Sequence, residues 1–97
     1  HVGRRFGDEL DISPELEQKI EGEDRASMEH ALKLDADAFY RSVVAGGHWR
    51  KVCGLSALYT SLRLIKALGP GSGKLLAYGQ APDPSGGLVS FTGAIFP

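Results

Sequence analysis

The feature that most restricts the fold of this chain is the three- and four-residue spacing of its apolar side chains before Gly69. Met28, Leu32, Ala36, Phe39 and Val43 follow steps of four, four, three and four. Val52, Leu55, Leu58, Tyr59, Leu62 and Ile65 form a second, broader stripe. Such spacing gathers apolar groups on one side of an α-helix and leaves the polar side to water. The pattern predicts an all-α fold, a bundle of about four helices.

Local signals set the expected boundaries. Val2, Phe6 and Leu10 line one face of an opening helix, which should stop by Ile12 or Ser13 because Pro14 disfavours helix in the residue before it. Ser13 and Pro14 read as N-cap and first position of a second, short helix burying Leu16 and Ile20, with Gly22 as its stop. A third helix is expected from about Asp24–Ser27 to Ala45, ended by Gly46 and Gly47. A fourth follows from His48 or Trp49 to Leu68. Beyond it, the glycines and prolines from Gly69 to Gly87 break any period, and only Lys74–Tyr78 could make a helical turn. The expected organisation is therefore a helical core over 1–68 and a Gly/Pro-rich, loop-like tail over 69–97.

A chain of 97 residues suits one small domain. A weak core at this size makes self-association a natural expectation. The net charge of −1 gives no electrostatic footprint for nucleic acid, and no apolar run approaches a membrane span. Cys53 is the single cysteine, so no internal disulfide forms, and a reducing compartment is expected. The charged opening lacks a signal peptide's apolar core, and a start at His1 rather than Met points to a fragment or trimmed product.

Enzymatic readings fail on inventory. His1, His30 and His48 lack metal-ligand spacing, and Cys53 on an apolar helix reads as a buried small residue. Gly69–Lys74 has the wrong spacing for a phosphate loop and lacks the hydroxyl residue after its lysine. Neither an enzyme nor a cofactor is expected.

Phe6-Gly7-Asp8-Glu9-Leu10-Asp11 resembles the third homology motif of the Bcl-two family of apoptosis regulators. Trp49-Arg50-Lys51-Val52, continuing to Leu64-Ile65-Lys66-Ala67-Leu68, resembles that family's first motif and central helix, closest to its Bax-like members. The resemblance implies an apoptosis regulator, Bax-like and pro-apoptotic, acting by helix-in-groove association and permeabilising the mitochondrial outer membrane. The alternatives are a binding-only, sequestering module or an unrelated helical structural domain. Its implied partners are Bcl-two-family proteins and a second copy of the chain, and its implied location is cytoplasmic with mitochondrial association. Transferred to this sequence, Asp8 is the acid and Lys51 its base, meeting across a symmetric dimer. Val2, Phe6 and Leu10 are the anchors, Gly7 permits close approach, and Trp49 opens the groove-forming helix.

Overall fold

The computed structural model describes residues 1–69 and 71–97. Three helices and a three-stranded antiparallel sheet succeed one another along these residues, so the all-α expectation is wrong. Strand β1 is Val2–Gly3, followed by a 3-10 turn over Arg4–Phe6. Helices α1 (Pro14–Leu32), α2 (Ala36–His48) and α3 (Leu55–Leu68) follow. Strands β2 (Lys74–Asp83) and β3 (Gly87–Ile95) close the described chain.

The expected opening helix does not exist. Gly3 and Gly7 take φ of 105° and 88°, left-handed values that interrupt helix on both sides of Arg4–Phe6. Ser13 and Pro14 act as anticipated: the Ser13 hydroxyl accepts from the Leu16 amide at 3.1 Å, and Pro14 occupies the first turn. The helix then runs through Gly22, because one exposed glycine costs only about 1 kcal/mol against the apolar contacts on either side. The single helix expected from Asp24 to Ala45 is divided instead at Lys33–Asp35. Leu34 sits there at φ 58°, only 2% exposed, and the Asp35 carboxylate caps α2 by accepting from the Ala38 amide. The apolar stripe survives that break: Ala36, Phe39 and Val43 join Ala31, Leu34 and Leu62 in one core, with Met28 packed against it. Gly46 and Gly47 terminate regular helix as read from sequence, both at positive φ.

The stretch 74–95, expected to be loop-like, is a hairpin. Asp83-Pro84-Ser85-Gly86 makes the turn: the Gly86 amide donates to the Asp83 carbonyl at 3.0 Å, and the Asp83 side chain accepts from the Ser85 amide. The pairing runs from Lys74↔Ile95 to Asp83↔Gly87, with an irregularity between Leu75 and Ala77. Pro70, part of the stretch weighed as a phosphate loop, lies outside the described residues.

One face of the sheet lies on α1. Val2, Ile20 and Leu88 form a second core there, joined by Leu16, Ile12 and Trp49. Complete burial of Leu88 is worth about 1.5–3 kcal/mol, which accounts for a two-residue β1 holding the start of the chain against β3. A polar seam that positions the site separates this core from the helical one.

Candidate ligand-binding cleft

The seam is built around Arg50, which is 4% exposed. Its guanidinium donates to the Asp24 carboxylate at 2.7 Å, to the Ser27 hydroxyl at 2.8 Å and to the Ser42 carbonyl at 3.3 Å. The Tyr78 hydroxyl donates to the other Asp24 oxygen at 2.7 Å, and the Gln80 amide donates to the Tyr78 oxygen at 3.0 Å. Burial, reinforced by the Asp24 carboxylate, pushes the Tyr78 phenol up to about 12, although hydrogen bonds from Gln80 and Ser90 work the other way. Helix α1, the sheet and the α2–α3 connection therefore share one set of charges, so the connection between His48 and Leu55 is fixed rather than loose.

That connection was expected to be helix. Instead His48, Lys51 and Gly54 adopt φ of 58°, 49° and 69°. A non-glycine residue in this region costs roughly 1–3 kcal/mol and persists only where surrounding contacts hold it. For His48 the contact is its ring Nε2 accepting from the Val52 amide at 3.0 Å. For Lys51 it is an ammonium that donates to the Asp8 carboxylate at 2.8 Å and to the Phe6 carbonyl at 2.9 Å. Asp8 is itself tied by the amides of Gly3 and Leu10. Burial tends to raise its carboxyl, but the hydrogen bonds from Lys51, Leu10 and Gly3 prevail and hold it below the usual carboxylate value.

The pair inferred from sequence thus exists, and it closes within one chain. Val2 is buried against Leu88, and the Phe6 ring lies over Gly87, where a Cβ would stand 2.8 Å from it. Gly7 faces open space, and Leu10 is 36% exposed. Trp49 packs in the sheet-side core, donates from its indole to Glu23 at 2.9 Å, and carries Lys19 over its ring.

Beside the connection lies a cleft of about 370 Å³. Met28, Phe39, Val43 and Val52 give it an apolar lining, and Leu58 and Phe91 stand beside it with their side chains exposed. Its polar groups include His1, Lys51 and Cys53. Cys53 is exposed, not buried as expected, because α3 begins only after Gly54. His1 and Cys53 are residue types that ligate metals, but no cluster of three His, Cys, Asp or Glu side chains capable of holding one exists among the described residues. Sequence reasoning gave Arg50 no site role, took Cys53 for a buried small residue and gave Tyr78 no site role. Gly54 was the available signal for the first two, as a glycine able to end a turn inside an otherwise helical stripe.

A protein-family model described as Memo-like protein matches residues 1–95. No curated protein and no solved structure matches. The match spans both stretches that suggested apoptosis regulators and overturns that resemblance. Physically, neither motif starts in the helix the resemblance requires: residues 6–11 are turn and coil, and residues 49–54 are turn and coil with left-handed backbone at Lys51 and Gly54, helix resuming only at Leu55. Helix-in-groove control of apoptosis, its sequestering alternative and the unrelated all-helical domain fall with it. Among the described residues no helix is long and apolar enough to cross a membrane.

Proposed function

The chain belongs to the Memo-like protein family, and on that footing we propose that its cleft binds a small, largely apolar molecule carrying one carboxylate or carbonyl oxygen. The observation that carries this reading is the posture of Lys51. Its backbone is held left-handed at the cleft, and its ammonium is fixed by Asp8 and Phe6 with two of three N–H groups used. An apolar hollow of this size with a few convergent polar groups is the usual form of a small-molecule site. The proposal covers recognition and assigns no bond-breaking step.

Benzoate and its uncharged counterpart benzamide test it by backbone chemical-shift mapping. Benzoate should shift the amides of Val52, Cys53 and Thr92 saturably. Lys51→Met should weaken benzoate roughly tenfold, the worth of one charge-assisted hydrogen bond, and benzamide less. Leu58→Glu, which leaves the Asp8–Lys51 pair intact, should repel benzoate alone. Shifts scattered over the surface, or equal losses for both probes, would overturn the assignment.

A further inference from the structure

We propose that a second hollow, between α2 and α3, binds a primary alkylammonium cation. It holds about 340 Å³ and is lined by Asp37, Tyr40, Ser56, Tyr59 and Thr60. None of these five residues borders the cleft beside Lys51. Asp37 and Tyr40 stand three apart on α2, and Ser56 stands three and four before Tyr59 and Thr60 on α3. Those spacings gather each set on one side of its helix.

The groups brought together are those that recognise an organic cation. The Tyr40 and Tyr59 rings meet edge to face, with 5.8 Å between centroids and 73° between planes. They form a corner rather than a stack, and a ring face attracts a cation through its quadrupole. Asp37 carries the only charge among the five residues, and that charge is negative. Its Oδ1 accepts from the Tyr59 hydroxyl at 2.7 Å, which fixes that ring and leaves Oδ2 without a partner among the described residues. The Ser56 and Thr60 hydroxyls add two neutral acceptors. Three acceptors match the three N–H groups of a primary ammonium, whereas a quaternary ammonium has no N–H to give them. Arg63 is the competing charge: it donates to the Tyr59 oxygen at 3.0 Å and lies 5.8 Å from that ring's centroid. It does not line the hollow, so it weakens the site by like-charge repulsion without filling it.

Benzylamine is the probe, added to the whole chain and followed by backbone chemical shifts, with benzyl alcohol and benzyltrimethylammonium as controls. Benzylamine should shift the amides of Tyr40, Ser56 and Thr60 saturably, and neither control should match its affinity. Asp37→Asn keeps an oxygen for the Tyr59 hydroxyl and removes the charge, so it should weaken benzylamine roughly tenfold. Tyr40→Leu should weaken it roughly threefold, the worth of one exposed cation–π contact. Arg63→Gln should tighten it. Unchanged amide shifts away from the hollow establish that each variant is folded. No saturable shift with benzylamine, equal affinity for either control, indifference to Asp37→Asn, or weaker binding in Arg63→Gln would overturn the proposal. These readouts lie on α2 and α3 and do not depend on whether benzoate binds near Lys51.

Discussion

The guanidinium of Arg50 and the carboxylate of Asp24 meet at 2.7 Å although 26 residues separate them, and both side chains are largely withdrawn from water. This contact ties the α2–α3 connection to the middle of α1, and the Tyr78 hydroxyl on Asp24 extends the tie to the sheet. Breaking a buried pair from one side leaves the other charge uncompensated, which costs about 3–5 kcal/mol. Arg50→Met should therefore destabilise the chain by about that amount in urea unfolding. A loss under about 1 kcal/mol, the value for exposed pairs, would show the seam to be wetter than described.

Acid should attack the chain through Asp8. Its carboxyl is depressed in the folded state: burial opposes this, but the Lys51 ammonium and the amides of Leu10 and Gly3 outweigh it. A depressed carboxyl contributes stability above its unfolded value of about 3.9, and that contribution is lost as pH falls through the folded value. Unfolding free energy should fall below about pH 4 in the native chain. Asp8→Asn should lower the plateau near neutrality and flatten the acid limb, as followed by urea unfolding across that range.

Alkali should act through Tyr78. A phenol raised to about 12 by burial and by Asp24 contributes stability below its unfolded value of about 10. The contribution disappears as pH climbs from there toward 12. Tyrosinate absorbance should show a late-titrating step that is absent in Tyr78→Phe. The same variant should lose about 1 kcal/mol at neutral pH, through the missing hydrogen bond to Asp24.

Two glycine substitutions should have opposite signs. Gly3 has φ 105°, and a Cβ there would collide with the Gly86 carbonyl, so Gly3→Ala should cost several kcal/mol, on the order of a strained core substitution. Gly22 lies in α1 with nothing within 4 Å of a built Cβ, so Gly22→Ala should stabilise by roughly 0.5–1 kcal/mol. Thermal unfolding of the two variants decides both signs.

The helical parts were legible wherever a local device decided them. Ser13-Pro14 announced the start of α1, Gly46-Gly47 its neighbour's end, and the stripe from Ala36 to Val43 its buried side. Boundaries failed where tertiary contact overrode local preference, as at Leu34, whose burial holds a left-handed backbone that its side chain disfavours. The hairpin was not legible because Gly79 and Gly87 read as breaks in a Gly/Pro-rich tail. In the sheet, Gly79 leaves room for the Phe91 ring and Gly87 for Phe6. The Asp83-Pro84-Ser85-Gly86 turn carried a signal that was given too little weight beside that glycine content. Asp8 and Lys51 came together, but by a route that spacing cannot reveal: a 3-10 turn on one side and a left-handed lysine on the other.

The most direct test of the cleft is the alkylation rate of the Cys53 thiol by iodoacetamide as benzoate is raised. The cleft reading predicts a rate that falls saturably with benzoate, and a half-protecting concentration that Lys51→Met raises roughly tenfold. A rate unchanged at every benzoate concentration, or a half-protecting concentration that Lys51→Met leaves unchanged, would contradict it.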